Sequence, residues 1–195
     1  LVKSGEAIER CAAASSVMLD KTGTLSEGRL AVERVIATPG LDDADVLRSA
    51  AAIEGASTHP VAEALRAELE RRGLAAPGAR GGRSALPGRG VVAVDAAGRG
   101  VVGSRELLTE YGVAIDPELD EAARRLAAQG ASLAFVAEGE RALGVVALLD
   151  PPRPDARDAV ARLRKLGLSV TLVSGDHADA VSMAAARAGI EERYA

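Results

Sequence analysis

Asp20 closes a short apolar run that begins at Ser16, and Lys21, Thr22, Gly23 and Thr24, which do not favour a strand as a group, follow it at once. An acid so placed reads as the last residue of a buried parallel strand. The carboxyl edge of such a sheet is where open α/β folds bind ligands. Gly23 lets the chain turn sharply there, and backbone N–H groups in such a turn can cradle phosphate oxygens. Lys21 adds a cation if the loop turns this way. A second turn, Ser174-Gly175-Asp176, ends the apolar run from Ser169 to Val173 and opens a helix, so its hydroxyl and N–H groups are expected to face the same anion. Phosphoryl binding is the chemistry these two turns lead one to expect.

The elements around these turns fall into two patterns. Asp155 to Leu166 reads as an amphipathic helix, Ser169 to Val173 as a strand and His177 to Ala188 as a helix, the alternation of a doubly wound parallel sheet. Between the flanks the pattern is different. Leu30 to Thr38 predicts a strand, Asp42 to Glu54 and Pro60 to Arg72 predict helices, and the Gly/Pro/Arg-rich stretch from Gly73 to Gly90 holds a strand and a loop. Val91 to Gly103 predicts a hairpin turning at Ala97-Gly98-Arg99, with Gly98 and Gly100 as ordinary turn glycines. Helices follow over Arg105 to Tyr111 and Pro117 to Ala128, then a second hairpin over Ser132 to Leu149. The sum is an α/β domain interrupted by an α+β domain.

Composition narrows the choices. The chain has 195 residues but only one Phe, two Tyr and no Trp, so its core is aliphatic. A net charge of −4, from 24 basic and 28 acidic residues without large blocks of either sign, gives no nucleic-acid footprint. No run approaches the ~20 apolar residues that span a bilayer. The single cysteine, Cys11, excludes an internal disulfide and reads as a small buried thiol. The chain starts at Leu1 and stops at Ala195 just after a helix-like run, which reads as a segment of something longer.

Asp20-Lys21-Thr22-Gly23-Thr24-Leu25 is identical to the DKTGTL signature of P-type ATPases. Other segments match in order. Leu149-Asp150-Pro151-Pro152-Arg153 resembles the family's return from its nucleotide domain, and Ser174-Gly175-Asp176-His177 resembles its TGDN loop. Ser57-Thr58-His59-Pro60 is similar to the SEHP element of the heavy-metal-transporting subfamily, with Thr for Glu. Gly88-Arg89-Gly90-Val91 resembles that subfamily's GxG element, and Gly103-Ser104-Arg105-Glu106 its Gly-Asn turn. The resemblance implies a truncated haloacid-dehalogenase-like, Rossmann-type phosphorylation domain (residues 1–29 and 148–195). Residues 30–147 would then be an inserted nucleotide-binding domain, an antiparallel sheet flanked by helices.

Residue by residue, it implies that Asp20 is the nucleophile for the γ-phosphoryl of ATP. Lys21 and Thr22 would support that group, Ser174 and Gly175 would hold its oxygens, and Asp176 would position metal or Lys21. Mg²⁺ would sit on Asp20 and the Thr22 carbonyl. Glu54, His59, Gly88, Gly90, Gly103, Ser104 and Arg153 are the implied nucleotide-binding residues. An imidazole can stack on or hydrogen-bond a purine, and Glu54 can accept from the adenine amino group. Without aromatic rings to grip adenine, affinity is expected to be modest. His177 stands where the family has Asn and is assigned to a helix start, without a metal.

The related phosphatases carry a second Asp two residues after the nucleophile as general acid/base. Here that residue is Thr22, which favours a persistent phosphoenzyme over hydrolysis. The family's GDGxND loop does not occur before Ala195, so weak Mg²⁺ binding and inefficient self-phosphorylation are expected of this chain. The implied setting is a cytoplasmic domain of a multi-pass membrane protein. Its partners would be ATP, the actuator and transmembrane domains of the same parent, and a heavy-metal cation bound elsewhere in it.

Overall fold

The computed structural model describes residues 4–174 and 178–194. Gly175, Asp176 and His177 therefore lie outside the described residues, as does the side chain of Cys11. In chain order the first elements are α1 (Gly5–Ala12), β1 (Ser16–Asp20), β2 (Ala31–Ala37), α2 (Asp43–Glu54), α3 (Pro60–Arg71), β3 (Arg83–Leu86), β4 (Gly90–Asp95) and β5 (Gly98–Gly103). They continue with α4 (Arg105–Glu110), α5 (Pro117–Ala128), β6 (Ser132–Glu138), β7 (Arg141–Leu149), α6 (Ala156–Lys165), β8 (Ser169–Val173), α7 (Ala178–Ala188) and β9 (Glu192–Tyr194). The chain divides into two units, Leu1–Gly28 with Asp150–Ala195, and Arg29–Leu149.

In the first unit β1, β8 and β9 form a parallel sheet in that order, with Ser16 to Asp20 in register with Ser169 to Val173. Helices α6 and α7 bury Val160, Val181 and Ala185 with Val170 and Leu172 of β8 and Leu25. This is the parallel α/β arrangement expected, with two differences. β1 is not fully buried: Val17 and Leu19 are half-covered, but Met18 is 73% exposed, because β1 is an edge strand whose other face is open among the described residues. β9 was not anticipated, since Glu192-Arg193-Tyr194 has no apolar run. Its strand character comes from parallel pairing with Thr171 to Val173.

The second unit is a six-stranded antiparallel sheet, β2-β7-β6-β5-β4-β3. Alternate residues of a strand face opposite sides, and here both sides are covered. Val102, Ala134, Val136 and Val146 pack with Val46, Leu47, Ile53 and Leu65 of α2 and α3. Val101, Phe135 and Val145 pack with Leu107, Leu108 and Leu119 of α4 and α5. Double coverage explains why β5 to β7 read as nearly continuous apolar runs. Helix α2 starts at a capping box, in which Asp45 N–H donates to Asp42 Oδ1 at 2.7 Å and Asp42 N–H donates back to Asp45 Oδ2 at 3.4 Å.

The first hairpin turns at Ala96-Ala97, one residue earlier than expected, because Asp95 pairs with Gly98. Asp95 accepts from Ala97 N–H at 2.9 Å and from Arg80 at 3.1 and 2.8 Å, while Arg80 also donates to the Gly98 carbonyl at 2.7 Å. Hydrogen bonding from Arg80, against a smaller opposing effect of burial, lowers the Asp95 carboxyl to about 2. A depressed carboxyl contributes stability above its unfolded value of 3.8 that is lost as pH falls towards 2. Asp95→Asn should therefore lower Tm at neutral pH, and its gap from wild type should close on acidification through that window. Thermal melts followed by circular dichroism check this; a gap independent of pH counts against it.

Candidate functional site

Asp20 pairs in register with Val173, so the loop after Asp20 and the turn at Ser174 leave the same carboxyl edge of the parallel sheet. Thr22 (φ −75°, ψ 122°) followed by Gly23 (φ 73°, ψ −4°) has the dihedrals of a type II turn, whose third position requires positive φ. Glycine supplies it. The loop is fastened by Ser26, which is 4% exposed. Its Oγ accepts from Gly23 N–H at 3.2 Å and lies 2.5 Å from Asp150 Oδ2 and 3.0 Å from the Lys21 carbonyl. The hydroxyl has one proton for two acceptors, and the shorter contact assigns it to the carboxylate. Asp150 Oδ1 also accepts from Gly28 N–H at 2.9 Å, while Arg153 N–H donates to the Leu25 carbonyl and Glu27 N–H to the Pro151 carbonyl, both at 2.9 Å.

These bonds revise the expected phosphate cradle. Gly23 N–H is directed to Ser26, and Ser174 N–H donates to the Tyr194 carbonyl at 3.1 Å, so neither amide is aimed at an anion. Asp20 and Thr22 are exposed and Lys21 is half-covered. The half-exposed Arg153 side chain lies 3.8 Å from Asp155.

In the second unit, the motif around His59 is built by local hydrogen bonding. Ser57 Oγ accepts from His59 N–H at 3.1 Å, and Pro60 opens α3, where its missing N–H costs nothing. His59 is the N-cap, its Nδ1 accepting from Val61 N–H at 3.3 Å. That bond assigns the neutral ring's proton to Nε2, leaving the exposed imidazole a donor. Glu54, the last residue of α2, is 4% exposed, and its Oε2 has no hydrogen-bond partner. Burial pushes its carboxyl above the usual range, opposed by His59, Arg66 and Arg83.

The three glycines differ in kind. Gly88 has φ +70°, and a Cβ there would meet nothing within 4 Å. Gly90 (φ +143°) and Gly103 are cross-strand partners, and a Cβ on Gly90 would overlap the Val102 carbonyl and lie 2.5 Å from Gly103 Cα. Their need for glycine arises inside the sheet itself. Ser104 caps α4, its Oγ accepting from Leu107 N–H at 3.2 Å; the backbone N–H of Glu106, and after it the Ser104 hydroxyl, hold the Glu106 carboxyl below the usual range.

The described residues thus form a parallel sheet with an acid at the carboxyl end of its first strand, interrupted in sequence by a separate antiparallel unit. The model of the haloacid dehalogenase-like hydrolase family matches residues 15–195, and the chain belongs to that family. Among its relatives, a copper-exporting P-type ATPase of Mycobacterium tuberculosis is 38% identical over 192 residues, covering 98% of this chain and 24% of the relative. The zinc/cadmium/lead-transporting P-type ATPase of Escherichia coli is 33% identical over 191 residues, covering 98% and 25%. The crystal structure of a zinc-transporting PIB-type ATPase in its E2.Pi state superposes with a TM-score of 0.85 at 29% identity, covering all of this chain and 31% of that one. The chain spans about a quarter of the length of the curated relatives it matches.

The donor sets fit ATP and, in part, Mg²⁺. The unpartnered oxygen of Glu54 matches the need of an adenine amino group for an acceptor, and Gly88 leaves open space. Asp20 and the Thr22 carbonyl are hard oxygen donors of the kind Mg²⁺ takes. No cluster of three His, Cys, Asp or Glu side chains suited to a metal occurs among the described residues. Sequence reasoning missed Ser26, Asp150, Arg66 and Arg83 as site residues. Asp150 stood inside the return segment it had singled out, but only its partner across 124 residues of chain gives it a role.

Proposed function

We propose that this chain is the ATP-binding and phosphorylation region of an ATP-driven heavy-metal cation pump. Residues 30–147 bind ATP, and residues 1–29 with 148–195 carry the phosphoryl acceptor. What carries the reading is Asp20 at the carboxyl edge of the parallel sheet with Thr22, not a second acid, two residues on. A carboxylate oxygen of Asp20 attacks the γ-phosphorus in line, the bond to the bridging oxygen breaks, and ADP departs with that electron pair. Lys21 offsets charge on the transferring group. Thr22 has no carboxylate to draw a proton from water, so the acyl phosphate persists. Mg²⁺ on Asp20 and Thr22 supplies charge neutralisation when bound. In the second unit Glu54 accepts from adenine, His59 presents its Nε2–H or ring face, and Gly88 admits the nucleotide closely. The resemblance assigns Asp176 and Gly175, which lie outside the described residues, to phosphoryl support and Arg153 to the nucleotide phosphates, and this reading adopts those roles.

In this reading the parent is a multi-pass membrane protein, and the chain lies on its cytoplasmic side. Its actuator and transmembrane domains, the latter holding the transported metal, are the partners. Titrating ATP while following backbone amide shifts tests the nucleotide assignment. His59→Gln should weaken binding about tenfold, the worth of one charge-assisted or stacking contact. Unchanged affinity in that variant overturns the assignment.

A further inference from the structure

The turn between α2 and α3 carries both Glu54 and His59 and is held from outside by two guanidinium groups. Arg66, on the second turn of α3, reaches back to donate to the Gly55 carbonyl at 3.0 Å and the Ser57 carbonyl at 2.8 Å. Arg83, at the head of β3, donates to the Glu54 carbonyl at 2.8 Å. Three carbonyls of one short turn are thus satisfied by cations at the C-terminal end of α2, where the helix dipole favours positive charge. Gly55 makes room for this: its φ is +57°, and a Cβ there would collide with the Arg83 guanidinium. The Ser57 carbonyl lies two residues before His59, on the residue whose hydroxyl takes the His59 N–H. The clamp and the histidine therefore share one turn.

We propose that Arg66 and Arg83 are positioning residues for nucleotide recognition, fixing the turn so that the buried Glu54 carboxylate and the His59 ring are held in one geometry towards a purine. The inference rests on the nucleotide reading above. In this proposal Arg66 acts on the carbonyls of the turn and, through its charge, on the Glu54 carboxyl. The planar fork puts Nη1 on the Gly55 carbonyl and Nη2 on the Ser57 carbonyl, whereas a lysine has one nitrogen, on a differently shaped stem, with which to reach both places. Lys is therefore no conservative replacement here.

The test uses the full chain, with ATP and GTP as probes, in Arg66→Met, Arg66→Lys, His59→Gln and the Arg66→Met/His59→Gln double variant. Arg66→Met and Arg66→Lys should each weaken ATP about five- to tenfold and shrink the preference for ATP over GTP, with Tm close to wild type. On the His59→Gln background, Arg66→Met should cost less than it does in wild type, about two- to threefold, because one of the two groups the turn positions is gone while Glu54 remains. Arg66 variants with wild-type ATP affinity and selectivity overturn the inference, as do losses that simply add to those of His59→Gln. If Arg66→Met does not fold, Arg66→Lys keeps the charge and stem and decides alone. His59→Gln itself binding ATP like wild type brings down the nucleotide reading, a result distinct from failure of the clamp alone.

Discussion

Gly90→Ala is expected to destabilise the Arg29–Leu149 unit by about 3 kcal/mol or more, since it adds backbone strain to an overlap of main-chain atoms. The strain comes from φ +143°, which L side chains rarely adopt, and the overlap from the Val102 carbonyl and Gly103 Cα. Neither neighbour is the end of a flexible side chain, so relief means parting β4 from β5. That would strain the bond from Ser104 N–H to the Arg89 carbonyl, 2.8 Å, which ties the turn to α4. A domain of ordinary stability has only about 5–15 kcal/mol to lose. Denaturant unfolding should show a large fall in midpoint. Gly88→Ala is the contrast: its Cβ meets open space, so only the cost of positive φ, about 1 kcal/mol, is expected, with a larger proportional loss of ATP binding. Equal stability losses in the two variants would refute the distinction between a glycine the sheet needs and one a ligand needs.

Glu54→Gln should move stability and binding in opposite directions. Burial raises the Glu54 carboxyl despite the charges of His59, Arg66 and Arg83. A group whose folded value lies above its unfolded 4.5 contributes full stability below that pH and loses it as pH rises through the folded value. At neutral pH the ionised, buried carboxylate therefore costs stability, and an amide of the same shape does not carry that cost. Glu54→Gln should raise Tm at neutral pH, with the gain fading as pH falls towards about 4.5 and absent below it. ATP affinity should fall about tenfold, because a neutral amide oxygen is a weaker acceptor for the adenine amino group. Thermal melts across pH and ATP titration read the two effects separately. A variant both less stable and unaltered in ATP affinity would remove Glu54 from the site.

The parts of this fold that follow local rules were legible. The helix pattern from Asp42 gave α2, Pro60 after His59 gave α3, and the apolar runs of β4 to β7, broken by turn residues, gave both hairpins, because each signal lies within a few residues of what it determines. β9 was not legible, since its pairing with β8 gives three polar or exposed residues their strand character. The exposure of Met18 was hidden for a related reason: an apolar run does not say whether its strand is central or at an edge. Asp20, Glu54 and His59 were singled out as candidates through motifs. Arg66 and Arg83 were invisible because they act on carbonyl groups, which every residue has. The same holds for Gly23 and Ser174, whose amides were expected to serve phosphate and are turned to Ser26 and Tyr194 by contacts that no spacing rule encodes.

β2 and β7 are the first and last strands of the second unit, and Ala31 pairs directly with Leu149. The unit therefore begins and ends at one place. An unstructured insertion of this size would add about 4 kcal/mol of closure entropy to bringing Ser26 to Asp150, whereas a folded unit with paired ends presents the host with little more than a short loop. Such a unit can be lengthened, exchanged or removed in evolution with little effect on the sheet that carries Asp20. The chain is modular at a seam one strand pair wide, and grafting a different antiparallel unit between Gly28 and Asp150 is a practical engineering route.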